Sequence, residues 1–336
     1  PAVSELSVRL TEGTVDECRV RLDSQQVSVK SVLLNRGGYS YLTGPAVPGK
    51  EKQEAAPVPG GSTPSLPWTV RVGSVVLDDN RAEYGLLNHR PAAGFDPSFI
   101  VLSTLDLAVD SIYNRGADIA LQIRRMAFTE RSGLTVSDMT GDIGMDASGI
   151  SLAGVTLKTP FSRIEANISA GEGILALAPD SPLKADLMAD VNTKDLKYLY
   201  PALIPPVLDG RIVSLALTAA GTLGDIGKAG LDISSPGHVA FTADGAARNV
   251  LDPGRMEASA RFEGDFRDMA FLEALLPDSA LRRRIAIPDR IRLRGTAGAD
   301  KGAFSAASTL STDGGEIALQ GRLDTRSEAY GIELRC

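Results

Sequence analysis

The feature that most constrains this chain is a two-residue hydrophobic period that returns along almost its whole length. Ile119, Leu121 and Ile123 alternate with Ala120, Gln122 and Arg124. Ile291 and Leu293 alternate with Arg290, Arg292 and Arg294, and Ile317, Leu319 and Leu323 with Glu316, Gln320 and Arg322. Leu215 and Leu217 follow the same rule. Successive side chains of a strand point to opposite faces, so each segment has one apolar side and one water-facing side. The pattern predicts an all-β chain of antiparallel sheet with one solvated face. Turn residues punctuate it: Asn35-Arg36-Gly37-Gly38, Asp146-Ala147-Ser148-Gly149, Asp244-Gly245 and Asp313-Gly314-Gly315. These types tolerate the positive φ of tight hairpins. The reading is a meander of roughly 16 to 18 strands, a path of roughly 75–85 Å at ~4.8 Å per strand.

Three segments interrupt the alternation. Residues 44–67 are rich in Pro, Gly and charge, cannot offset their ordering entropy, and read as a disordered loop. Short helices are expected at Thr193–Tyr200 and Arg267–Leu276. Each starts near a polar cap (Thr193, and Asp265 or Asp268) and stops at Pro201 or Pro277. The two helices carry an internal repeat: Asp195-Leu196-Lys197-Tyr198-Leu199 matches Asp268-Met269-Ala270-Phe271-Leu272 about 73 residues on. The organisation reads as N-terminal strands (1–43), the loop (44–67), a first meander (68–192) and a repeated strand–helix–strand segment (193–336). Repetition of this kind points to a stacked array.

Little in the sequence suggests chemistry. A net charge of −7 argues against nucleic acid, which needs clustered Lys and Arg. Arg282-Arg283-Arg284 reads as a solvated surface. No apolar run approaches the ~20 residues of a membrane-spanning helix. The chain opens at Pro1 in alternating residues and closes inside a strand pattern at Tyr330–Cys336, as an internal piece of a longer protein would. Cys18 and Cys336 are too far apart to form a metal site or a disulfide framework. His89 and His238 have no ligand-spaced partner and read as exposed loop or strand residues. Asp78-Asp79-Asn80 and Asp225 fit turn chemistry better than a calcium loop. No phosphate-cradling glycine loop or Gly-x-Ser-x-Gly elbow occurs. No catalytic residue, metal site or cofactor is therefore assigned. What remains is the apolar face itself. Periodicity does not separate a side chain facing a second sheet from one facing an acyl chain.

Three groups of motifs bear on that choice. They are Gly133-Leu-Thr-Val-Ser-Asp-Met-Thr-Gly141 with Ile150–Thr159 and Pro160–Ile164, then Ile287-Pro288 leading to Ile291–Gly295 and Leu310–Gly314, and Asp195-Leu196 before Tyr198 and Pro201. In this order, over roughly residues 68–336, they resemble the TamB family, the translocation and assembly module component of the AsmA-like group. The resemblance implies a long β-sheet curled into an open apolar groove (β-taco-like), in a periplasmic protein anchored in the inner membrane. It also implies conduction of phospholipids towards the outer membrane, as in bridge-like lipid transfer proteins. On that reading the partners are phospholipid acyl chains and an outer-membrane barrel protein of the BamA type. Ile119, Leu121, Ile123, Leu215, Leu217, Ile291, Leu293, Ile317 and Leu319 are the candidate lining. The alternatives are a scaffold for assembly of outer-membrane β-barrel or autotransporter proteins, and a surface adhesin or β-helix with a dry core. Unpaired strand edges would also invite self-association.

Overall fold

The computed structural model describes residues 3–44, 68–172, 178–202, 204, 206–269, 287–327 and 329–335. The chain is all-β. Twenty strands belong to one mixed sheet that does not close into a barrel, with one α-helix among the described residues. Two compact units divide it.

The first unit spans Pro1–Ala147, Leu152–Phe161 and Asp195–Leu203. Its strands are β1 (Val3–Arg9), β2 (Glu12–Asp16), β3 (Arg19–Arg21), β4 (Gln26–Asn35), β5 (Gly38–Gly44), β6 (Thr69–Leu86), β7 (Phe99–Arg115), β8 (Asp118–Glu130), β9 (Thr135–Asp146) and most of β10 (Gly149–Lys158). From β6 to β10 each strand pairs with the next, antiparallel where the register is defined. The start of the chain departs from a simple meander. Along one edge of β6, β4 pairs with Thr69–Asp78 and β5 with Arg81–Leu86, both parallel. The sheet is therefore mixed, where alternation predicted an antiparallel one. Alternation reports faces, not strand direction. A parallel pair also needs a long crossover, and Gly44 and Thr69 lie at opposite ends of an 18-residue strand, about 56 Å apart at ~3.3 Å per residue. The segment between them, including the expected loop to residue 67, lies outside the described residues. So does most of the expected second helix, together with Arg282-Arg283-Arg284 and Cys336.

Asn35–Gly38 is consequently not a hairpin. Arg36, at φ 54°, kinks the chain where it passes from β4 to β5 while both strands stay beside β6. The same kink breaks the ladder, and Asn80, 1% exposed, repairs it. Its Oδ1 accepts from Gly37 N–H at 2.8 Å, and its Nδ2 donates to Leu34 O at 3.0 Å and Asp78 O at 2.9 Å. Asp79, at φ 52°, is the bulge that aims Asn80 inward. The Asp78-Asp79-Asn80 run is thus strand-junction chemistry. Asn80→Ala would leave a buried N–H and C=O without partners, and is expected to destabilise the fold by about 2–4 kcal/mol, read by urea denaturation.

The second unit spans Ser148–Ser151, Ser162–Lys194 and Ile204–Cys336. It carries β11 (Arg163–Gly171), β12 (Pro182–Asn192), β13 (Ile212–Thr222), β14 (Ile226–Ser235), β15 (Val239–Arg248), β16 (Glu257–Arg267), β17 (Arg290–Asp300), β18 (Ala303–Thr312), β19 (Gly315–Asp324) and β20 (Ala329–Arg335). Here each strand pairs antiparallel with the next, as the alternation predicts. The helix α1 (Thr193–Leu199), which follows β12 and belongs from Asp195 onward to the first unit, falls where expected. Its cap is Asn192, whose Oδ1 accepts from Lys194 N–H at 3.0 Å. Thr193, the residue expected to cap it, donates its hydroxyl to Leu208 O. Two long connections are closed at their base, by Thr193 N–H to Arg211 O (2.9 Å) and by Asp268 N–H to Asp289 O (2.8 Å). Gly315 turns a hairpin at positive φ, as read from sequence. Asp244-Gly245 instead lies inside β15, because its neighbours already alternate and the strand passes through it.

Candidate functional site

Residues directly opposite in adjacent strands point to the same face, so the registers of the second unit define its faces completely. One cross-strand row runs Ile164, Ala189, Leu215, Ile233, Phe241, Gly264, Leu293, Leu310, Ile317. The next runs Ala166, Leu187, Leu217, Leu231, Ala243, Phe262, Gly295, Ser308, Leu319, Leu334. Ile291 stands beside Phe266 and Thr312 on the same face. The six candidate residues Leu215, Leu217, Ile291, Leu293, Ile317 and Leu319 therefore share one face. No position of that face, from β11 to β20, is Asp, Glu, Lys, Arg or His. Ten strands at ~4.8 Å carry it for about 43 Å.

The same registers show members that the alternation did not single out. Phe241 and Phe262 stack with ring centroids 6.3 Å apart. The Phe262 ring lies over Gly295, where a Cβ would come within 2.5 Å of it. Another row is made of small residues from β12 to β19, namely Ala185, Ala219, Ala229, Gly245, Ala260, Ala297, Ala306 and Gly321, and ends on Ile168 in β11 and Ile332 in β20. Ala and Gly contrast weakly with their neighbours in hydropathy, so this lane appears only once the strands are aligned. Val239 and Phe241, two residues apart in Val239–Arg248, were the available signal for β15.

In the first unit Ile119, Leu121 and Ile123 also share a face, opposite Met145, Ile143 and Gly141 of β9, with Val109 of β7 opposite Ile123. Alternation lapses beyond Ile123. The register shifts before Met126 and again before Phe128, and Arg124 and Arg125 are both exposed. Ile123 is 8% exposed and Val136 2%, so this part holds a small core.

Among the described residues of the second unit, few apolar side chains are buried. Its buried apolar residues are Ala166, Ala170, Ala189 and Met269 among the described residues. Leu217, Leu319 and Leu323 are 37–45% exposed. Large apolar side chains left at the surface are the informative departure here.

The opposite face is polar. Asp265 binds Arg290 through two contacts (2.6 and 3.0 Å) and Arg267 at 2.8 Å, and these guanidinium groups hold its carboxyl well below the usual carboxylate range. A cavity of about 1130 Å³ spans β15–β20, with Asp244, Arg261, Thr296, Gln320, Arg322 and Glu333 in its lining. All six belong to the polar face, and their mixed charges favour no single ligand. Among the described residues no cluster has the makings of a metal site, and no helix is long and apolar enough to cross a membrane. Cys18 is an exposed free thiol.

Both histidines depart from expectation in being partly buried beside an aspartate. His89 Nε2 lies 2.7 Å from Asp96 Oδ2, and His238 Nδ1 3.7 Å from Asp268. Asp96 also accepts from the N–H groups of Ala92 and Ser98. The His89 contact and then these N–H groups hold its carboxyl down to about 2, from an ordinary 3.8. A depressed carboxylate contributes stability that is full above pH 3.8 and lost as pH falls through about 2. The melting temperature should therefore fall more steeply between pH 4 and pH 2 in the natural chain than in Asp96→Asn. Equal slopes in thermal scans would remove Asp96 as the cause.

Comparison of the chain with protein-family models, curated proteins and solved structures finds no match to any of the three.

Proposed function

We propose that the chain shields the acyl chains of lipids along the apolar face of β11–β20, and conducts rather than transforms them. One observation carries this reading: a ten-strand face without an ionisable side chain of Asp, Glu, Lys, Arg or His, on which few apolar side chains are buried among the described residues. An acyl tail of about sixteen carbons, at ~0.8 kcal/mol per buried CH₂, gains on the order of ten kcal/mol of shielding from water. The lane of Ala and Gly between rows of Leu, Ile and Phe offers it a shallow track that crosses the strands. Such a surface recognises apolar length and little else, so a bound lipid can move along it without losing its shielding at once. The TamB-like motifs point the same way and suggest phospholipid moving between two membranes in the periplasm. Protein-client assembly by strand addition is the second reading, supported by the unpaired strand edges.

Mass spectrometry of an organic extract of the purified chain, against a mock purification, tests the first reading. Co-purifying phospholipid is the expected result. A well-folded protein that yields none sinks it, and crosslinking to unfolded barrel strands then becomes the test of the second.

A further inference from the structure

Glu130, the last residue of β8, is 4% exposed. The registers put it on an apolar face. Leu107 of β7 pairs with Met126 and Val109 with Ile123, so the extra residue Arg124 returns Met126 to the face of Ile119, Leu121 and Ile123. Phe128 and Glu130 follow on that face, because β8 runs regularly from Met126 and the bulges at this level belong to β7 and β9. Leu102 stands directly opposite Glu130, and Val136, 2% exposed, opposite Phe128. Among the paired positions of this face in β8 and β9, Glu130 alone is Asp, Glu, Lys, Arg or His.

The two carboxylate oxygens differ. Oε2 accepts from Ser132 N–H at 2.6 Å and so closes the turn into β9. Oε1 is buried and meets no donor among the described residues. Arg131, the next residue, sends its guanidinium to Ala92 O and Gly94 O instead (3.0 and 2.8 Å). A carboxylate taken out of water with one oxygen unmatched is costly, and a buried orphan of this kind calls for a group that fills it.

We propose that Glu130 Oε1 receives the primary ammonium of an amphiphile whose apolar chain lies on the same face, over Leu102 and Phe128. Three physical points select that head group. A guanidinium pairs best with both oxygens of a carboxylate, and one is already taken. A calcium ion takes about six to eight oxygens, and no group of three His, Cys, Asp or Glu placed to hold a metal occurs among the described residues. An ammonium is a compact point charge that a single oxygen can hold. The tail is the part that rests on the lipid reading above; the head-group site stands on Glu130.

Calorimetric titration of the whole chain with decylammonium, decanol and decanoate, each below its micelle concentration at neutral pH, tests both parts. Decylammonium is expected to bind about tenfold or more tightly than either of the others, since its bond to the carboxylate is charge-assisted. Glu130→Gln keeps an oxygen for Ser132 N–H and removes the charge, so its circular dichroism spectrum should be unchanged while the preference vanishes. Glu316→Gln, at an exposed carboxylate, should keep the preference. Equal binding of the three by the natural chain overturns the head-group site and leaves the lipid reading standing. A preference that survives Glu130→Gln does the same. Binding of none of the three overturns both.

Discussion

A chain carrying aspartate at both Leu217 and Leu293 is expected to melt at nearly the temperature of the natural chain, yet to bind a fluorescent fatty-acyl probe at least tenfold more weakly. The two halves of this result have one cause. In a dry core, each unpaired carboxylate would be forced out of water, and changes of that kind exceed about 4 kcal/mol. Leu217 is 37% exposed and Leu293 is not fully buried, so water still reaches a carboxylate at either position, and the expected stability change is about 1 kcal/mol or less. An acyl chain has no such escape. Losing the shielding of only two methylenes removes about 1.6 kcal/mol, a little over tenfold in affinity. Fluorescence titration and thermal scans of the same sample measure both halves. A large fall in melting temperature would mean the face is covered, as in an adhesin or β-helix with a dry core. Unchanged binding would mean that the probe sits elsewhere.

Gly149→Ala should be the most damaging single methyl group, lowering unfolding stability by about 3–5 kcal/mol. Gly149 opens β10 at φ +134°, a conformation that side chains rarely adopt. Its Cβ would collide with Ala170 O and lie 2.7 Å from the Gly171 backbone in β11. Backbone strain contributes about 1–3 kcal/mol and the forced separation about 1–3 more. Gly331→Ala is the control: it is exposed with nothing within 4 Å, and should change stability by less than about 0.5 kcal/mol. Equal denaturation midpoints for the two variants would show that β10 and β11 do not approach so closely.

Local chemistry made much of this fold legible in the sequence. A period of two is a property of each strand alone, so Leu215/Leu217, Ile291/Leu293 and Ile317/Leu319 could be assigned an apolar face with no knowledge of their neighbours. The helix at Thr193–Leu199 was legible for the same reason, since Pro201 and a polar start act within one turn. Turn signals were reliable at Gly315, where a positive φ is required. They misled at Asp244-Gly245, where the strand continues through the pair, and at Asn35–Gly38, where the chain bends without reversing.

What only the tertiary structure decided are relations between strands. Nothing in the alternation of residues 26–44 says that they lie parallel to β6, because parallel and antiparallel ladders bury the same side chains. The buried role of Asn80 depends on a break in a neighbouring strand, 43 residues away in sequence for Gly37. The bulges after Ile123 reset the parity of β8 through pairing with β9, not through any residue type. The joining of separate apolar segments into one uncharged face likewise depends on register, which is set by backbone hydrogen bonds between strands. So does the lane of Ala and Gly, whose residues are unremarkable one by one. The sequence by itself determined which side of each strand avoids water. The structure decided that, through ten strands of the second unit, those sides coincide.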